Sequence, residues 1–289
     1  MKRYNSIPGA VIPGYILFIL LVVSLFPGCS EAPVHQSLPA THKQASWNSY
    51  EIIGFDLVLW SAGNPRLEAS FWLDPALSRA RMETPDGSVI VFDGSEFYAS
   101  GPELNRARFH VLTWPYFLAA PYKLNDPGTV REDLGPTTMD GKDYPTMRLS
   151  FRPGVGDTPD DWYIVYQDPD TKRLHGMAYI VTYAKDTARA EKDPHAIRYN
   201  DYETFEGIPI ATRWTFHPWN RPDSSDEASD DQKSADKEVI SRDTLMEARL
   251  TNFSFYVDRN SAGRNEPSLP APPEKIFEAP DGARKLTKP

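Results

Sequence analysis

The sequence predicts an α+β fold that is mostly antiparallel β, a curved sheet covered or plugged by one aromatic-rich helix. Three observations point to it. Leu67, Ala69, Phe71 and Leu73 alternate with Glu68, Ser70 and Trp72, the period of two expected of a sheet with two different faces. Turn signals recur between short apolar runs, the grammar of a meander. One stretch, Asn105 to Ala120, is apolar nearly all round, as a buried helix is.

The elements follow in order. Ser46 to about Tyr50 reads as a short opening turn before a strand from Ile52 to Trp60. After Leu73, the turn Pro85-Asp86-Gly87 precedes Val89 to Phe92, and Asp93-Gly94 precedes Glu96 to Tyr98. The helix carries Phe109, Val111, Leu112, Trp114, Phe117 and Leu118. Pro115 should kink or restart it, because proline removes a backbone donor. Trp162 to Tyr166 and Leu174 to Tyr183 form a hairpin about the turn Asp168-Pro169-Asp170. Ile197 to Phe205 and Ile208 to Phe216 form another about Glu206-Gly207. Arg249 to Val257 alternates once more and is expected to close the sheet.

The ends of the chain read differently. Lys2 and Arg3 precede an apolar run from Ile16 to Phe26, which leads into Pro27-Gly28-Cys29-Ser30. The run is about a dozen residues, short of the ~20 of a spanning helix. A basic start, a short apolar core and a small residue at the cut fit a removable export signal. The expected organisation is therefore a signal peptide over 1–28, a lipidated tether over 29–45, one β-rich domain over 46–258, and a loose tail over 259–289. The Asp/Ser-rich stretch 219–238 has too little apolar bulk to offset chain entropy and reads as an unfolded acidic insertion between strands.

Composition narrows the function. The chain has 289 residues, 40% of them hydrophobic, which suffices for one sizeable core. Its net charge is −9, and removing residues 1–28 takes away two cations and no acid. An acidic chain argues against a nucleic-acid partner. Cys29 is the single cysteine, so there is no intrachain disulfide. No serine elbow, zinc-binding His-Glu-x-x-His pair or phosphate loop is present. The histidines at 35, 42, 110, 175, 195 and 217 lack ligand spacing, with His35 and His42 falling in the tether. The sequence predicts no enzyme and no cofactor.

Two sets of residues are candidates for a site. Trp72, Phe92, Phe109, Trp114 and Phe117 lie on the first sheet or the helix, where a concave apolar surface would hold an apolar ligand. Aromatic rings also dominate core packing, so any one of them serves the core as readily. Asp157, Asp160 and Asp161 in Gly154-Val-Gly-Asp-Thr-Pro-Asp-Asp161 offer carboxylates for Ca²⁺. The spacing is not that of an EF-hand, and a tight turn with backbone-capping aspartates is the favoured reading.

Two resemblances add to this. The segment ending at Cys29 resembles the lipobox of bacterial lipoproteins, which implies diacylation of the Cys29 sulfur after cleavage at Gly28. Phe26 stands where that box usually has leucine. Ser30, rather than Asp, after the cysteine implies the outer membrane more than the inner. Four stretches resemble an uncharacterised family of bacterial envelope proteins. They are Val91-Phe-Asp-Gly94; Arg108-Phe-His110 with Pro115 to Leu118 and Asp126-Pro-Gly128; Glu132 to Gly135 with Asp140-Gly-Lys142; and Gly154 to Asp161, running on into Tyr163 to Asp170. The resemblance spans roughly 46–257. The family is similar, distantly, to the Lol-type lipoprotein carriers and receptors, which implies an unclosed barrel-like sheet with a helical lid over an apolar cavity. The expected function is thus a membrane-tethered envelope lipoprotein that binds an acyl chain or lipoprotein; the alternative is an envelope interaction or scaffold module.

Overall fold

A computed structural model describes Met1 and residues 32–222, 238–257 and 275–287. Most of the signal segment and Cys29 lie outside the described residues. Among the described residues no helix is long and apolar enough to cross a membrane.

Among the described residues, thirteen strands form one antiparallel sheet. The first five are β1 (Ile52–Ser61), β2 (Asn64–Leu73), β3 (Ala80–Glu83), β4 (Val89–Phe92) and β5 (Phe97–Ser100). The next six are β6 (Thr129–Met139), β7 (Lys142–Phe151), β8 (Tyr163–Gln167), β9 (Leu174–Tyr179), β10 (His195–Phe205) and β11 (Ile208–Pro218). Last come β12 (Met246–Tyr256) and β13 (Arg284–Leu286). Their spatial order is β13-β5-β4-β3-β2-β1-β12-β11-β10-β9-β8-β7-β6, and the two end strands do not pair, so the sheet is open. Two meanders are joined side by side. β12 joins them, pairing with β1 on one flank and β11 on the other. The expectation that this strand closes the sheet is corrected: it lies at the centre, because β1 to β5 run outward from it and β6 to β11 run back in to it.

That topology sets the position of the main helix. The chain leaves β5 near one edge and must reach β6 at the opposite edge. It does so through helix α3 (Ala107–Ala119) and a 3-10 turn at Ala120–Tyr122. α3 therefore crosses the inner face of the sheet, packing on β2, β3 and β4 and stacking rings against β8, β9 and β11. It runs through Pro115 as one element, with the break deferred to the turn that holds Pro121. The apolar residues on all sides are explained by this burial: Val111, Trp114, Phe117 and Ala119 are each at most 4% exposed.

Alternation assigns the faces. In β8, Tyr163 and Val165 join the inner core under α3, while Ile164 and Tyr166 join a second cluster on the outer face. Trp219 and Ile240 cover that outer cluster, and the Trp219 indole donates to Tyr166 Oη at 2.8 Å. The expected insertion 219–238 is thus anchored at both ends: Trp219 bridges to Ile240, and Asn220 N–H donates to Val239 O at 2.9 Å. Residues 223–237 lie outside the described residues.

Both expected tethers need correction. Residues 34–47 fold into α1 (Val34–Thr41) and α2 (Gln44–Trp47). Leu38 and Trp47 are fully buried, and Trp47 stacks on Tyr122 at 4.3 Å. His42 is the main fixing point. Its Nδ1 bonds Pro209 O at 3.2 Å, and the Leu174 N–H donates to its Nε2 at 3.1 Å. Sparse apolar residues suggested a solvated chain, but Val34, Leu38 and Trp47 share one docked surface. At the other end, β13 pairs with β5, and Ile276 and Phe277 are buried against Ile52.

Candidate functional site

Between α3 and the sheet lies a cavity of about 500 Å³. Its ceiling is the α3 face bearing Phe109, Leu112, Tyr116 and Phe117. Its floor is the inner face of β8 and β9, with Tyr163 and Tyr179, continuing into Val181 and Tyr183. One side is closed by Leu77, Phe92 and Phe97, the other by loops 123–129 and 155–161. The cavity exists because the helix must cross a wide, open sheet: side chains from one helix cannot fill the whole concavity. Its volume lies within the ~300–1,000 Å³ of small-molecule pockets.

The structure separates the predicted aromatic residues. Phe92, Phe109 and Phe117 line the cavity. Trp114 does not. It is 4% exposed and packs between His110, Phe117 and Phe216 as core. Trp72 faces the opposite side of the sheet, packed with the Ile276 and Phe277 cluster, because its even position in β2 alternates away from buried Phe71. The tyrosines of the floor escaped sequence reasoning. Their signal was present: Tyr163 and Tyr179 are apolar-flanked positions in two strands that pair in register.

The Gly154 to Asp161 loop forms the rim, and two of its three carboxylates, Asp157 and Asp161, are already engaged. Arg108 donates to Asp157 through two nitrogens, at 2.5 and 3.2 Å, and its guanidinium sits 4.0 Å above the Phe97 ring. This latch ties the loop to α3. Asp161 accepts from the Thr182 N–H and hydroxyl and from the Thr158 hydroxyl, all at 2.7 Å. Burial nonetheless holds its carboxyl above the usual range. Asp160 is exposed. Among the described residues no group of three or more His, Cys, Asp or Glu side chains is arranged to hold a metal. In this geometry Asp157 and Asp161 fasten a loop.

Other titratable groups are structural. His110 lies beside the cavity on α3, where the Trp114 indole N–H donates to its Nδ1 at 3.1 Å. Burial and the nearby Arg106 push its pKa down to about 4, so it is neutral. Lys123 on the cavity wall pairs with Asp126. Burial raises the phenols of Tyr163 and Tyr179 well above their ordinary value, so both keep their protons.

The architecture is that of an open antiparallel half-barrel with a helix laid across its inner face and a cavity beneath. Residues 100–209 match a family of unknown function, DUF6503, a span narrower than the expected 46–257 that takes in the whole of α3 and the rim loop. No curated protein sequence matches. Among solved structures, a LolA superfamily protein from Nitrosomonas europaea is 8% identical at TM-score 0.48, covering 83% of this chain and 96% of that one. A putative outer membrane lipoprotein-sorting protein domain from Vibrio parahaemolyticus is 8% identical at 0.45, covering 80% and 93%. A DUF1329 family protein from Desulfovibrio piger is 12% identical at 0.43, covering 78% and 94%.

Proposed function

We propose that this protein is a membrane-tethered envelope lipoprotein whose half-barrel binds an apolar ligand, an acyl chain, between α3 and strands β8 and β9. The observation that carries the reading is the 500 Å³ cavity itself, walled by Leu77, Phe92, Phe109, Leu112, Phe117 and Val181. A space lined by such side chains favours an apolar occupant over water. Its side walls are held in place by the Arg108–Asp157 latch rather than by loose loops.

The tether is a separate part of the proposal. It rests on the basic start, the short apolar run and Cys29. Because α1 begins at Val34, only Ser30 to Pro33 separate that cysteine from the first helix. A chain so short would hold the domain close to the bilayer surface, outer membrane in preference to inner.

Binding of N-phenylnaphthylamine, an apolar dye that fluoresces on leaving water, tests the cavity. Wild type is expected to bind it saturably, and Leu112→Trp, which puts an indole into the space, to lose most of that signal while keeping its melting temperature within a few degrees. Equal dye binding by both proteins would place the dye elsewhere and remove the support.

A second reading has one specific observation behind it. Val130 and Leu134 are 45% and 44% exposed on the outer edge strand β6. Exposed apolar residues on an unpaired edge suit a protein partner. Arg131, Glu132, Asp133 and Pro136 in the same strand are the kind of residues that keep an edge from pairing, which weakens that reading.

A further inference from the structure

The cavity carries hydroxyls on its sheet side. Tyr163 and Tyr179 are register partners in β8 and β9, so their side chains leave the same face as nearest cross-strand neighbours. Both residues are buried, at 8% and 6% exposure, and both line the cavity.

Their hydroxyls differ from those of three nearby tyrosines. Tyr122, Tyr199 and Tyr202 donate to the carbonyls of His42, Phe117 and Leu174, at 2.9, 3.0 and 2.7 Å. Among the described residues, nothing in the protein accepts from Tyr163 or Tyr179. Two hydroxyls in the wall of a cavity, on register partners of neighbouring strands and held protonated, are donors open to an acceptor from its occupant.

The charges around the cavity restrict that acceptor. Arg108 is paired with Asp157 and Lys123 with Asp126, and Asp161 adds a further acid. No cation lining the cavity is left over to neutralise an anion. A carboxylate or phosphate drawn into this space would be desolvated with no partner of opposite charge.

We propose that the cavity recognises the uncharged carbonyl of an acyl ester through the hydroxyls of Tyr163 and Tyr179, and so takes neutral acyl esters in preference to free fatty acids. The inference rests on the cavity binding acyl chains at all.

Displacement of N-phenylnaphthylamine from the purified protein tests it at pH 8, with three competitors of equal chain length: monolauroylglycerol, its ether analogue dodecylglycerol, which lacks the carbonyl, and laurate. The ester is expected to compete about tenfold better than either, the size of one good hydrogen bond or more. In Tyr163→Phe/Tyr179→Phe that advantage should fall to within twofold, each competitor being read against the variant's own dye affinity, and a cooperative melt reports that the variant is folded. The ether comparison uses wild type alone and stands if the variant does not fold. Laurate or the ether competing as well as the ester would overturn the inference and leave the cavity reading intact. Failure of wild type to bind dye or any of the three would overturn both.

Discussion

His42 shows how far one side chain can tie a segment down. It has few apolar neighbours in sequence, yet it is 2% exposed and bonded through both ring nitrogens. Burial, against a smaller opposing effect of the Pro209 carbonyl, lowers its pKa from 6.5 to about 4. The unfolded chain therefore binds a proton that the folded one refuses. The stabilisation is complete above pH 6.5 and is lost as pH falls towards 4, on the order of 3 kcal/mol for this residue. His110 and His175, also lowered to about 4, act with the same sign. Urea unfolding between pH 4 and 8 should show this acid weakening, and His42→Gln should make the slope shallower; an unchanged slope would mean that His42 is not buried as described. Tyr116 makes the opposite case. Its hydroxyl is enclosed and is the one buried side-chain polar atom among the described residues without a partner. Tyr116→Phe should leave the melting temperature unchanged or raise it, by up to about 1 kcal/mol of stability. A clear loss of stability would reveal a partner for that hydroxyl.

At the scale of elements, the hairpins were legible because their strands bury one face and their turns carry Asp-Gly, Glu-Gly or Pro-Asp-Gly signals. The long hairpin of β6 and β7 was not: β6 is an exposed edge, so nothing forces its residues to alternate. β3 was missed because Ala80-Arg-Met-Glu83 carries one bulky apolar side chain, whereas the equally short β4 is apolar throughout. The cavity-lining rings were half legible. Periodicity placed Phe109 and Phe117 on a buried helix, but a helix buried all round gives no clue to which side faces a cavity. The sign of Trp72 was set by strand parity, which its buried neighbour Phe71 revealed only once the inner face was known. Two element-scale tests follow. A double-mutant cycle on Arg108→Ala and Asp157→Ala should give a coupling of about 1–2 kcal/mol, since both side chains are less than a fifth exposed and the contact is bidentate. Coupling near zero would mean the rim loop is held otherwise. Gly101 sits at φ +77°, and a Cβ there would lie 2.1 Å from the Gly87 carbonyl oxygen. Gly101→Ala should therefore cost at least about 2 kcal/mol, read by chemical denaturation, because both backbone angle and space oppose it.

For the whole molecule, the open sheet and the helix that crosses it are one fact. A chain whose first meander runs outward from the centre, and whose second runs back in from the opposite edge, must carry its connection from one edge to the other, and the inner face offers the shortest covered route. The helix that takes it is too narrow to fill the curve, and the cavity is what remains. α1, packed on β7, and β13, paired with β5, then fasten segments from both ends of the domain to the same sheet. Native mass spectrometry of the full-length protein, extracted from its own membrane, tests this account most directly. The account predicts a non-covalent mass excess equal to one acyl lipid, lost on gentle activation and absent from Leu112→Trp, above a chain that begins at an acylated Cys29. A bare mass for wild type and variant alike, with no lipid released, would contradict it.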